Sequence, residues 1–208
     1  MELLILSIRD VALLPQESYA SLFPRRMERA QRFRREDDRL RCIGAGLLLH
    51  RVLGIGEEEL RYTERGKPFS AAAAPCFNLS HSGDYVLLAA DESGVGADIE
   101  RLDPAHLRLA KEVYQSGERA WMEGDPLRRF FVLWTLKESV MKQCGLGLSL
   151  SPRSFSVLPL TEGEPIQLQG KTLYAGTRCF GEYCLSVCAE HPLAALNPKA
   201  VTAAELLR

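Results

Sequence analysis

Lysine is scarce in this sequence. Of its 26 basic residues only six are lysine, at positions 67, 111, 137, 142, 171 and 199; the rest are arginine. Neither sign of charge is in excess, since 26 Lys and Arg face 27 Asp and Glu for a formal net charge of −1. The basic surplus of a dedicated nucleic-acid binder is therefore missing. No apolar run approaches the ~20 residues of a membrane span. The apolar N-terminus is interrupted by Arg9 and Asp10 and has no basic flank, so it reads as a first strand and not as a signal peptide. There is no Gly-x-Ser-x-Gly elbow and no short-period repeat. None of the six cysteines forms a Cys-x-x-Cys pair, and Cys184 and Cys188, on one face of a strand, are read as small core residues in preference to a metal or redox site. These absences point to a cytoplasmic protein with neither a nucleic-acid nor a membrane partner.

What is present is ordinary globular composition, 46% apolar and 25% charged over 208 residues, which excludes disorder and collagen-like structure. The length permits one large domain or two of roughly 100 residues. A strand is expected at 3–8, a short helix at 18–27 interrupted by Pro24, and a longer helix at 37–53 stopped by Gly54. Between Arg25 and Arg41, eight arginines face four acids, a local +4. Residues 76–79 and 84–90 read as strands around a turn at Ser80-His81-Ser82-Gly83, with a low-complexity linker at 71–75 before them, and 95–100 as a further strand. Asp103-Pro104 is the best boundary, dividing the chain into 1–103 and 104–208. The second part begins with helical material at 105–122. It continues with a helix from Pro126 to Cys144 ended by Gly145 and Gly147, then strands at 153–160, 166–174 and 180–189. Helices with antiparallel strands in both parts make the class α+β and not a doubly wound parallel fold.

Three constellations carry potential chemistry. In Gly94-Val95-Gly96-Ala97-Asp98-Ile99-Glu100, strand alternation puts Asp98 and Glu100 on one side, about 6–7 Å apart. That arrangement suits a solvated strand edge or a pair of hard oxygen donors for Mg²⁺. In Trp134-Thr135-Leu136-Lys137-Glu138-Ser139-Val140-Met141-Lys142, Glu138 and Lys142 share a helix face. A surface ion pair explains them, as does a metal–phosphate site; the helix is apolar nearly all round, so charges within it require a reason. In Asn78-Leu79-Ser80-His81-Ser82, a histidine between hydroxyls is either structural or a set of donors to a phosphate. Gly66-Lys67-Pro68 adds a stiff loop with one cation. The Arg25–Arg41 cluster is either a solvated face or a phosphate-facing one.

In this order, the motifs resemble the longer, surfactin-type (Sfp-like) 4′-phosphopantetheinyl transferases, over roughly residues 24–148. The resemblance implies a pseudo-dimer of two similar α+β halves, each a small antiparallel sheet with packed helices, sharing a cleft. It implies transfer of the phosphopantetheine arm of coenzyme A to a serine of an apo acyl or peptidyl carrier protein, with release of adenosine 3′,5′-bisphosphate, by a monomer. Asp98, Glu100 and Glu138 would hold Mg²⁺, Glu138 would also accept the serine proton, and Lys142 would steady the pyrophosphate or leaving group. Lys67, Ser80 and His81 would hold the nucleotide end of coenzyme A, with Arg26, Arg29 and Arg41 as further phosphate contacts. Cys42 stands where the family often has a hydroxyl residue. Arg128 and Arg129 are candidates for meeting an acidic carrier. The rival readings are a coenzyme A- or carrier-binding module without catalysis, and a Mg²⁺ phosphatase or nucleotidyl enzyme.

Overall fold

The structure, a computed structural model, describes residues 1–20, 22–72, 75–159 and 163–208, with residue 148 described by its backbone alone. By packing, the chain divides into two units, Met1–Glu92 with Asn197–Arg208, and Ser93–Leu196.

The first unit opens with β1 (Glu2–Ser7) and α1 (Ile8–Ala12), the latter capped by the Ser7 hydroxyl, which accepts the Arg9 N–H at 3.1 Å. Next come α2 (Pro24–Gln31) and α3 (Glu36–Leu53). Pro24 opens α2 instead of interrupting a helix over 18–27, because a proline in the first turn gives up an N–H that has no intrahelical partner anyway. α3 carries Glu36, Asp37 and Asp38 in its first turn and His50 and Arg51 in its last, each sign facing the helix end that favours it. A small hairpin, β2 (Leu60–Tyr62) with β3 (Pro68–Ser70), precedes a longer one, β4 (Cys76–Ser82) with β5 (Tyr85–Asp91). Ser80, His81 and Ser82 lie within β4 and not in a turn. Ser82 pairs with Tyr85, leaving the two-residue loop Gly83-Asp84, in which Gly83 takes the positive φ (52°) such loops require. Of the expected linker at 71–75, residues 73 and 74 lie outside the described residues.

The second unit runs through β6 (Val95–Arg101), α4 (Ala110–Val113), α5 (Ser116–Met122), α6 (Pro126–Cys144), β7 (Ile166–Leu168), β8 (Lys171–Phe180) and β9 (Tyr183–Ala189). Its sheet has the order β6-β9-β8-β7, antiparallel throughout. β6 pairs with β9 along its whole length, which is why the packing division falls before residue 93, whereas the sequence reading places its boundary after residue 103. The chain then returns to the first unit with β10 (Lys199–Val201), parallel to β1, and α7 (Ala203–Leu206). The first sheet is thus β10-β1-β5-β4, with α3 packed on it; Leu47 and Leu48 of the helix share one buried cluster with Leu6, Val86 and Leu88 of the sheet. Both units are α+β, as the patterning indicates.

Two local features depart from expectation. Cys184 is not simply a core thiol: directly opposite Cys179 in the β8–β9 register, it is joined to it by a disulfide, while Cys188 is a buried free thiol. The strand expected at 153–160 is not formed. Pro152–Ser154 is a 3₁₀ turn, 155–159 has no strand, and residue 160 lies outside the described residues. The start of this segment is instead held by Lys137. Its fully buried ammonium donates to the carbonyls of Pro152 (2.7 Å) and Phe155 (2.6 Å) and pairs with buried Glu118 at 2.8 Å. Glu118 is equally committed, accepting the Gln115 N–H in a capping box and the Val157 N–H. Removing either partner would strand a buried charge at a cost of about 3–5 kcal/mol.

α6 crosses β6 at Gly96. A Cβ at this position would run into the Ser139 carbonyl oxygen and the Gln143 backbone nitrogen, and would lie 2.9 Å from Gln143 Cβ. Backbone sits on backbone here, so no side chain can rotate out of the way. Gly96→Ala is therefore expected to lower unfolding free energy by about 1–3 kcal/mol through overpacking, read from urea denaturation; a wild-type midpoint would refute the contact.

Candidate active site

The second unit brings charged groups together on α6 and β6. Strand alternation from Gly96 places Asp98 and Glu100 on the face that α6 covers. Asp98 stands opposite Ser186 of β9, whose buried hydroxyl lies 2.7 Å from that of Thr135 on α6. One turn after Thr135 comes Glu138, and one turn further Lys142, on the same side of the helix. The Lys142 ammonium contacts Asp98 Oδ1 at 2.6 Å and donates to the Ala97 carbonyl at 3.2 Å. Asp98 is almost wholly buried, while Lys142 keeps part of its side chain at the surface. The Glu138 carboxyl is raised above the ordinary glutamate range, chiefly by burial and also by the Asp98 charge, against a downward pull from Lys142. Asp98, Glu138 and Lys142 thus form one electrostatic unit. Glu100 is half-buried two residues along the same face, opposite Cys184.

Among the described residues, no three histidine, cysteine, aspartate or glutamate side chains are gathered closely enough to hold a metal ion by themselves. The donor set nevertheless suits Mg²⁺, which takes one or two carboxylates and fills its remaining positions with water and phosphate oxygens. Glu138 and Asp98 lie within reach of each other's charge, a repulsion that a hard cation between them would offset.

In the first unit, basic residues of α2 and α3 line a cavity of about 260 Å³ together with Cys42, Tyr62, Gly66, Pro68 and His81. It gathers Arg26, Arg29, Arg41 and His81 from the residues expected to meet the nucleotide end. Arg26 and Arg29 are three apart on α2 and share a face. Arg26 Nη1 donates to the Cys42 carbonyl at 3.2 Å, and Arg29 Nη1 to the Tyr62 hydroxyl at 3.4 Å. Arg41 bonds the Gly83 carbonyl and pairs with Asp38 at 2.6 Å, a hydrogen bond that holds the Asp38 carboxyl below the usual range. Lys67 sits between two lining residues, its backbone N–H bonded to Thr63 Oγ1 at 3.0 Å. Ser80, by alternation, is on the face of β4 opposite His81 and is buried.

The sequence reading singled out neither Glu118 nor Ser186. The spacing Gln115-x-x-Glu118 was the available signal for a helix start, but nothing local marks Glu118 as the partner of Lys137. Arg129 lies over the Trp121 ring, 4.8 Å from its centroid, and bonds the Trp121 carbonyl.

A family profile described as the 4′-phosphopantetheinyl transferase superfamily matches residues 94–188, which include β6, α6 and β9 up to Cys188. Across most of its length the chain is similar to the 4′-phosphopantetheinyl transferase Sfp of Bacillus subtilis (strain 168), 31% identical over 184 residues, 81% of this chain and 82% of Sfp. It is 30% identical over 205 residues to a phosphopantetheinyl transferase of Thraustochytrium sp., spanning 83% of this chain and 71% of that protein. The match to the 4′-phosphopantetheinyl transferase AcpT of Salmonella typhimurium is higher but shorter, 47% over 95 residues, 42% of this chain and 50% of AcpT. The chain belongs to the 4′-phosphopantetheinyl transferase superfamily.

The position of Glu138 has a titration consequence. A carboxyl raised in the folded state keeps its proton after the unfolded chain has lost it. It therefore favours folding below the ordinary glutamate range, and that advantage is lost as pH rises through the raised value. In chelator-treated protein, Glu138 is expected to titrate above ordinary glutamate, higher still in Lys142→Met and lower in Asp98→Asn, as read by carboxyl ¹³C NMR. An inflection unmoved in both variants would contradict the coupling.

Proposed function

We propose that this protein is a Mg²⁺-dependent enzyme that moves the 4′-phosphopantetheine group of coenzyme A to a serine of an apo acyl or peptidyl carrier protein. The observation that carries the reading is the cluster of Asp98, Glu138 and Lys142 across β6 and α6, in a chain similar over most of its length to phosphopantetheinyl transferases. A module that merely bound coenzyme A would have no use for carboxylates held together against their own repulsion.

In the reaction, the serine oxygen attacks the phosphorus that carries the pantetheine arm. The bond from that phosphorus to the bridging oxygen breaks, and adenosine 3′,5′-bisphosphate leaves. Asp98, Glu100 and Glu138 would hold Mg²⁺, which when bound would neutralise the pyrophosphate and stabilise charge on the leaving oxygen. Lys142, with its ammonium on Asp98, orients that carboxylate and offers its charge to the pyrophosphate. Glu138, whose proton affinity burial raises, accepts the serine proton directly or through water. Arg26, Arg29, Arg41, Lys67 and His81 would hold the nucleotide end of coenzyme A by charge-assisted hydrogen bonds, with Ser80, on the other face of β4, as a further hydroxyl contact. Positioning and charge neutralisation account for most of phosphoryl-type catalysis, and these residues supply both. The same proposal has the protein act as a cytoplasmic monomer. Among the described residues, no helix is long and apolar enough to cross a membrane.

Mass spectrometry of an apo-carrier incubated with coenzyme A and Mg²⁺ tests the reading. Wild-type protein should add the arm. Asp98→Ala and Glu138→Ala should each lose roughly 100-fold or more in rate while keeping a wild-type circular dichroism spectrum. His81→Ala should mainly raise the KM for coenzyme A. Normal conversion by either carboxylate variant would refute the assignment, and coenzyme A binding without transfer by the wild type would favour the binding module.

A further inference from the structure

Gly46 occupies the middle of α3, where alanine would make the better helix. Its missing side chain is explained by Arg26. A Cβ at Gly46 would overlap Arg26 Cδ and come within 2.9 Å of Arg26 Nε; the next nearest atom, Phe23 Cε2, is at an ordinary 3.4 Å. The stem of Arg26 therefore lies in the space a methyl group would fill. From there its guanidinium reaches the Cys42 carbonyl at 3.2 Å and the wall of the basic cavity. The backbone of Arg26 has little freedom to retreat, because Glu57 accepts the N–H groups of Arg25 and Arg26 at 2.9 and 2.6 Å and anchors the start of α2. A side chain at position 46 would be accommodated by swinging Arg26 away.

We infer that Gly46 is a positioning residue: by lacking a side chain it sets the reach with which Arg26 presents its guanidinium to a phosphate of coenzyme A in this cavity. The inference deepens the proposed function and rests on the reading that Arg26 contacts coenzyme A.

The test is steady-state transfer kinetics with saturating apo-carrier and varied coenzyme A, alongside thermal melts, for wild type, Gly46→Ala, Arg26→Ala and the double variant. Arg26→Ala should raise the KM for coenzyme A roughly tenfold, the value of one charge-assisted hydrogen bond. Gly46→Ala should raise it to a similar degree with kcat within about twofold, and the double variant should be no worse than Arg26→Ala, because with the long side chain gone position 46 has nothing left to position. A wild-type KM in Arg26→Ala would remove the underlying reading. A raised KM there with a wild-type KM in Gly46→Ala would overturn the role of Gly46 alone, as would penalties that simply multiply in the double variant. If Gly46→Ala melts earlier than wild type, adding Arg26→Ala must restore the melting temperature by removing the overlap; failure to do so also overturns the inference.

Discussion

The second unit depends on one close approach, the crossing of α6 over β6 with nothing between them but the Cα of Gly96. Because the helix rests on the strand backbone, the residues that follow on each element are brought to fixed heights. Two positions along the strand this places Asp98, and one turn beyond Ser139 on the helix it places Lys142, close enough for a 2.6 Å ion pair. The Thr135–Ser186 hydroxyl pair ties the same helix to the next strand beside Asp98. A bulkier residue at 96 would lift the helix, and with it the whole geometry of the carboxylates.

Two lysines of α6 show how the same side chain serves different ends. Lys137 and Lys142 are five residues apart, about 140° around the helix. Lys137 faces inward, with its three donors directed to Glu118 and two carbonyls, and works as a pin that holds the 152–155 segment against α5 and α6. Burial pulls its ammonium below the usual lysine value, against the upward pull of Glu118. Lys142 is partly open to solvent and faces Asp98. A compact ammonium with three freely rotating donors meets such point contacts better than a planar guanidinium, which gives a physical meaning to lysine in a chain that otherwise uses arginine.

Much of this was legible beforehand. The helices at 36–53 and 126–144, their stops and the pairing of Asp98 with Glu100 on one strand face all follow from periodicity, capping residues and strand alternation. The errors fall where contacts with other segments outweigh local preference. Ser80–Ser82 looks like a turn because its residues favour turns, yet ladder bonds to β5 outweigh that preference and push the turn onward to Gly83-Asp84. Residues 153–160 have strand-like composition, but the segment begins in a 3₁₀ turn at Pro152–Ser154, and the Pro152 and Phe155 carbonyls there meet the buried Lys137 ammonium from another part of the chain.

By itself, then, the sequence determined the α+β class, the long helices and the identity of the charged residues, because these rest on periodicities and short-range chemistry carried within a few residues. Only the tertiary structure decided that Lys142 faces Asp98, that Lys137 is a buried pin, that Arg26 lies over Gly46, and that residues 197–208 join the first unit. Each of these is a contact between distant segments. Such contacts are selected by packing and by the requirement that buried charges find partners, and neither can be evaluated until the elements have been brought together.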